Sequence, residues 1–262
     1  MDFFADQESV RGDAADDGLR SARRIAEDLL ILTDSRPTRQ EPEAGSQGAQ
    51  SASANLRKRT IEAISRLLDL AATLTFIVVL FPAMLLLTIA VAIDAKGLPI
   101  FAHRRIGKGG RPFDCYKFRT MCHDAEARLE SILVENPEMQ REWNEHHKLS
   151  NDPRITRFGH FLRETSLDEL PQLFNVLFGD MALVGPRPIV QAELPRYHRY
   201  LSSYLSVKPG LTGLWQVTCR SESTYRRRVA IDRVYAARKC LLLDVRILFA
   251  TVPAVLSRKG AC

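Results

Sequence analysis

Two adjacent carboxylates, Asp168 and Glu169, stand in the segment TSLDELPQLFNVLF, where Leu167, Leu170, Leu173 or Phe174, and Leu177 recur at helical spacing. The pattern predicts a helix whose first turn holds both acids. Consecutive helical positions diverge by about 100°, so the pair can divide the work. One carboxylate faces a phosphorus atom as nucleophile, and the other holds Mg²⁺, which takes oxygen ligands and bridges substrate phosphates. A purely structural account also stands, because Ser166 and Glu169 have capping-box spacing and acids near a helix N-terminus are stabilising in themselves. Arg163 lies five residues before Asp168, and Arg187 is held between prolines in Gly185-Pro186-Arg187-Pro188. Either guanidinium offers a bidentate fork to a phosphate, while a stiffened loop with a salt bridge is the plainer account of Arg187. Lys117 and Arg119 alternate with Tyr116 and Phe118, which gives one strand face a basic character and the other an apolar one. Such a strand can meet lipid phosphates, or it can join the carboxylate pair, where a diphosphate would supply the missing negative charge.

The frame for these side chains reads as α/β and mostly helical, in three parts. Residues 1–56 form an acidic leader of net charge −5, and the remainder carries +11. Within the leader a short amphipathic segment, Leu19 to Leu32, precedes PTRQEPEAGSQGAQSASAN, which has little apolar surface to bury and reads as a flexible tether. Residues 57–95 hold the uncharged run Leu70 to Ile93, whose 24 residues make a helix of roughly 36 Å, enough to cross a hydrocarbon core of about 30 Å. Basic residues flank the run on both sides, so both flanks have a cytoplasmic character. Two readings stay open: a straight spanning helix with a tolerated proline, or a helix that turns at Pro82 and leaves on the face it entered. Residues 96–262 form the working domain, starting with strands around Ile100 to Arg104 and Phe113 to Phe118, joined by a Gly-rich turn. Helices are expected from about His123 to Ser131, after a break near Pro137 through Trp143, twice between 150 and 188, from Ile189 to about Tyr204, from Thr224 to Arg238, and from Leu242 to Val255. The basic field suits lipid headgroups and phosphorylated substrates; no nucleic-acid motif accompanies it. Five cysteines without CxxC spacing read as free thiols. Gly107, Gly109 and Gly110 read as a hairpin turn, His146, His147 and His198 as surface residues, and Arg226, Arg227 and Arg228 beside Asp232 as a solvated or headgroup-facing helix surface.

From Lys58 to Cys262 the chain resembles the bacterial sugar transferase family, the monotopic phosphoglycosyl transferases that begin cell-surface glycan synthesis. The motifs are KFRTM at 117–121, DPRITRFG at 152–159, SLDELPQLFNV at 166–176, GDMALVGPRP at 179–188 and KPGLTGLWQV at 208–217, in family order. The resemblance implies a re-entrant membrane helix broken at Pro82, with a compact catalytic domain bearing a small β element on the cytoplasmic face of the bacterial inner membrane. It implies that Asp168 attacks the sugar-bearing phosphate of a UDP-sugar, expels UMP and forms a covalent phosphosugar intermediate, which polyprenyl phosphate then discharges. Glu169 matches the Mg²⁺-associated carboxylate, Arg163 and Arg187 the phosphate-binding arginines, Lys117 a basic residue of the active-site rim, and Asp232 a further family acid. The ending resembles exopolysaccharide-initiating members that use UDP-galactose, with UDP-glucose next, and later glycosyltransferases would take the product. The rival reading is an inactive membrane scaffold of a polysaccharide assembly complex. Phe81-Pro82 replaces the Ser-Pro pair of some relatives, and Thr218-Cys219-Arg220 replaces their Ser-Gly-Arg, a change that strains the turn if the glycine served φ > 0 or reshapes the sugar end of the pocket if it served close approach. The leader's amphipathic segment is left between joining two protomers as a homodimer and lying on the membrane.

Overall fold

The computed structural model describes residues 47–146, 149–218 and 224–256. The amphipathic segment 19–32, His147, Cys219 and the residues after 256 lie outside them.

Helix α1 runs from Gln47–Ala95 without interruption, with Pro82 inside it. Its first two turns fall in the stretch expected to be an irregular tether. Ala and Gln in that stretch, followed by Leu56, Arg57, Lys58 and Arg59, are competent helix formers once the helix downstream has been nucleated. Pro82 cannot donate to the Val78 carbonyl, yet the helix continues through it, and the segment Glu62–Ala95 is long and apolar enough to cross a membrane. One side of α1 is buried at Thr73, Met84, Val91 and Ala95, while Val78, Val79, Phe81, Leu86 and Ile93 are exposed.

Two hydrophobic clusters receive that buried side. Met84, with Ala72, Ile77 and Leu80, packs among Leu173, Val176, Met181, Leu183 and Val184. Val91 and Ala95 pack with Phe118 and Leu162. Near the other end the Arg66 guanidinium donates to the carbonyls of Val176 (2.7 Å) and Leu177 (3.1 Å), at the C-terminal end of a short helix, where a cation meets both orphan acceptors and the negative end of the dipole.

After α1 come the antiparallel strands β1 (Ile100–Ile106) and β2 (Pro112–Phe118), in register from Ile100 opposite Phe118 to Ile106 opposite Pro112. Their turn places Gly109 and Gly110 at positive φ, as the glycine spacing predicts. Helices α2 (Ala125–Glu135) and α3 (Pro137–His146) follow, with Pro137 opening the second, where its missing N–H costs nothing. Then come α4 (Arg157–Glu164), a 3₁₀ turn at Leu167–Glu169 and α5 (Gln172–Phe178).

A short parallel pair not foreseen from the sequence joins β3 (Ala182–Val184) to β4 (Gly210–Thr212). Such short strands carry too little alternation to register as a pattern. The GPRP and KPGLTG loops meet here backbone to backbone, and a Cβ on Gly210 would collide with the Gly185 nitrogen. The expected helix from Ile189 to Tyr204 is instead a 3₁₀ segment, Gln191–Tyr200, followed by α6 (Leu201–Leu205). Pro195 and the positive φ of His198 interrupt the regular α-helical pattern. Helix α7 (Leu214–Thr218) leads to α8 (Tyr225–Arg238) and α9 (Leu241–Leu256), close to the predicted limits. Among the described residues the fold is mostly helical with two small sheets.

Candidate active site

The two carboxylates do not sit in the first turn of α5. They occupy the separate 3₁₀ turn before it, entered through Ser166 at φ 57°. The capping-box account fails here: the Ser166 side chain makes no cap bond, and Glu169 reaches across to β2. Lys117 Nζ donates to Glu169 Oε1 at 2.8 Å and lies 3.5 Å from Asp168 Oδ2. One ammonium thus serves two neighbouring acids. Asn175, fully buried on α5, fixes the distance between these elements by accepting from the Tyr116 N–H (2.9 Å) and donating to the Asp114 carbonyl (2.7 Å).

The three charges are unequal. Burial, with help from the Glu169 charge, raises the Asp168 carboxyl above its ordinary range against the pull of Lys117 and Arg163. Burial also opposes the Glu169 carboxylate, but Lys117, Arg187 and Arg105 outweigh it and hold that group low. Lys117 is raised, because Glu169 and Asp168 overcome the cost of burying it. One ammonium facing two carboxylates leaves an excess of negative charge, on which Arg163, Arg187 and Arg105 also act.

Arg163 projects from α4, whose start is capped by the Thr156 hydroxyl accepting from Gly159 N–H. Gly159 lies directly against the Thr120 carbonyl, where a Cβ would have no room. This close approach lets Arg163 Nε donate to Thr120 Oγ1 at 2.9 Å, while its charge acts on Asp168. On the other side a small open cleft is lined by Lys117, Glu169, Gln172 and Gln216, with Arg105 and Arg187 supplying two guanidiniums. Arg187 is exposed, and Pro188 beside it is buried.

Arg119 does not join this group. Its Nε donates to the Leu98 carbonyl at 2.8 Å and its guanidinium lies over the Phe101 ring, at the far end of the hairpin. Asp232 is also away from the cleft, buried on α8, where it accepts from the Tyr197 hydroxyl at 2.7 Å and lies 3.8 Å from Arg228 Nε. The expectation of a solvated basic surface therefore holds for Arg226 and Arg227 and fails for Arg228 and Asp232. The second pair turns inward, and Arg228 is covered by the rings of Trp215 and Tyr225. Burial pushes the Asp232 carboxyl up to about 6 against the opposing Arg228 charge.

Sequence reasoning does not single out Arg105, Gln172, Asn175 or Glu193. Arg105 shares a hairpin face with Cys115 and Lys117, a relation visible only once the register is known. Cys115, also at the cleft, is held as a protonated thiol, with burial raising its pKa to about 11.

A buried Asp168 and a half-buried Glu169 that share one lysine, beside a cleft with two arginines, define a site suited to phosphoryl chemistry. The chain belongs to the bacterial sugar transferase family, whose sequence model matches residues 60–258. It is 48% identical over 207 residues to a UDP-galactose-lipid carrier transferase of Erwinia amylovora, covering 79% of this chain and 43% of that protein. It is 42% identical over 204 residues to the exopolysaccharide production protein ExoY of Sinorhizobium fredii, covering 78% of this chain and 90% of the relative. A UDP-glucose:undecaprenyl-phosphate glucose-1-phosphate transferase of Xanthomonas campestris pv. campestris is 40% identical over 191 residues, 70% of this chain and 36% of that protein. The chain thus spans less than half the length of several curated relatives and nearly the whole of ExoY.

Proposed function

We propose that this chain transfers a hexose 1-phosphate from a UDP-sugar to polyprenyl phosphate, releasing UMP, as the first membrane step of exopolysaccharide synthesis. The observation that carries the reading is the Asp168–Lys117–Glu169 triad beside a cleft with two arginines. An Asp168 oxygen attacks the sugar-bearing phosphorus, an aspartyl–phosphate bond forms, and the bond to the UMP oxygen breaks with its electrons leaving on UMP. A phosphate oxygen of the lipid then attacks the same phosphorus and releases the Asp168 carboxylate. Lys117 keeps Asp168 ionised for attack and balances the charge that gathers between the two acids. Arg163 and Arg187 hold phosphate oxygens on either side. Asp232 acts from behind the cleft: with Tyr197 it holds Arg228, which donates to the Arg187 carbonyl at 3.4 Å.

The donor set also suits Mg²⁺. Asp168 and Glu169 offer hard carboxylate oxygens, and one or two such ligands completed by substrate phosphates is an ordinary way to hold that ion. Bound there, it would neutralise diphosphate charge.

Membrane attachment through α1 is supported by its length, its composition and its exposed apolar side. A re-entrant course is supported by packing, since Arg66 before the apolar run and Ala95 after it both contact the same catalytic body, although α1 continues through Pro82 without the break that the resemblance implies. The names of the relatives favour galactose and glucose as the sugar, with later glycosyltransferases extending the product. The inactive-scaffold reading finds no support in a site that retains both acids, Lys117 and both arginines.

The test is UMP release by the detergent-solubilised protein with Mg²⁺ and polyprenyl phosphate, offered UDP-galactose, UDP-glucose and the two UDP-N-acetylhexosamines in turn. Lipid-dependent release from one donor, absent in Asp168→Asn, is expected. Equal release by that variant would remove Asp168 from the mechanism.

A further inference from the structure

We infer that Arg105 is a further substrate-binding residue, holding the phosphate of the departing uridine nucleotide; this rests on the UDP-sugar reading above. The case starts from the hairpin. Arg105 stands opposite Phe113, and Phe113, Cys115 and Lys117 alternate along β2, so Arg105 faces the same side as Lys117. Both residues line the cleft.

The charges around the triad divide into two groups. Arg105 and Arg187 line the cleft with Lys117 and Glu169, whereas Arg163, bonded to Thr120, is not among its lining residues. In an in-line displacement the leaving oxygen departs opposite the attacking one. With Asp168 attacking from the Arg163 side, the nucleotide leaves toward the cleft and its two guanidiniums. Lys117 is already occupied by two carboxylates, so it cannot alone meet the charge that grows on the leaving phosphate.

Two guanidiniums facing one cleft repel each other, and Arg187 adds to the effect of burial in lowering the pKa of Arg105. A phosphate between them would cancel that repulsion and accept from both forks. Arg105 is aimed by its surroundings. Its Nη1 lies 3.4 Å from the Pro188 carbonyl and 3.8 Å from Glu193 Oε2, and Nη2 lies 3.2 Å from His103 Nδ1. The other Glu193 oxygen lies 3.5 Å from Arg228 Nη1. Glu193 is thus a positioning residue, linking Arg105 to the same Arg228 that supports the Arg187 backbone.

The experiment compares UMP with uridine as calorimetric probes of the full chain in detergent. Arg105→Gln is expected to lower UMP affinity roughly tenfold or more and leave uridine affinity unchanged, because the lost contact is a charge-assisted one to phosphate. Arg105→Lys should recover part of the UMP affinity, and Glu193→Gln should lower it less than Arg105→Gln does. Equal losses for UMP and uridine would mean that Arg105 only braces the fold, and unchanged UMP binding would equally overturn the inference. Should Arg105→Gln fail to fold, the Lys variant is read in the same way: a selective loss for UMP supports the role, and a common loss removes it. If the unaltered protein binds no UMP, the donor reading itself falls, an outcome distinct from any difference among variants.

Discussion

Replacing Lys117 with Gln should move the pH dependence of the reaction as well as its rate. Lys117 Nζ lies 3.5 Å from the Asp168 carboxylate, and two unit charges at that distance interact by roughly 4–5 kcal/mol at an effective dielectric near 20. The cleft is open to water and the side chains retain some exposure, so a third to a half of that value, about 1.5–2.5 kcal/mol, is the reasonable share. This corresponds to about one to two pH units. The loss acts on an acid that burial already raises, beside a second carboxylate left without its closest partner. On the proposed mechanism Asp168 attacks as the carboxylate, so raising its pKa would enlarge the inactive protonated fraction at low pH. The acid limb of kcat/KM for UMP release therefore shifts upward by about one to two units. Lys117→Arg, which keeps the charge, should move it far less. A slower Lys117→Gln enzyme with an unmoved acid limb would refute the electrostatic role.

Asn175→Ala should destabilise the fold by about 2–4 kcal/mol, since it removes two hydrogen bonds and leaves the Tyr116 N–H and Asp114 carbonyl in a confined site; chemical denaturation measures this. Asp232 should make the folded state lose stability as pH rises between about 4 and 6, because its raised folded pKa keeps a proton that the unfolded chain has released. Asp232→Asn, which can still accept from Tyr197, should flatten the slope of melting temperature in that window, and an unchanged slope would contradict it. Gly210→Ala should cost about 1–3 kcal/mol by forcing the Gly185 and Gly210 backbones apart, with a fall in kcat as Arg187 moves.

Much of the framework is legible because its signals are local. The apolar run, the glycine turn and the helical stretches of α8 and α9 each declare themselves within their own residues. Asp168 and Glu169 are equally visible, but the sequence leaves a helix cap and a reactive pair as competing accounts. Their distinction depends on Lys117, 52 residues from Glu169 in the chain. The same limit hides β3 and β4, which have meaning only as partners, and Arg105, whose place depends on hairpin register. Arg228 and Asp232 show the opposite error: polar composition assigns their segment to the surface, although a pair that compensates itself can be buried.

Under the proposed function, the contact of α1 with Phe118 and Leu162 bears on how a lipid substrate would be met. Phe118 directly follows Lys117, and Leu162 directly precedes Arg163, so the apolar helix touches the supports of two site residues. Were that helix bedded in lipid, as proposed, the turn bearing Asp168 and Glu169 would ride at a fixed height relative to the bilayer. Drawing each CH₂ of a prenyl chain into water costs roughly 0.8 kcal/mol. A site held close to the headgroups spares that extraction, and its efficiency becomes a function of membrane thickness: a thicker bilayer would change the level at which phosphate and carboxylate meet without altering a single side chain.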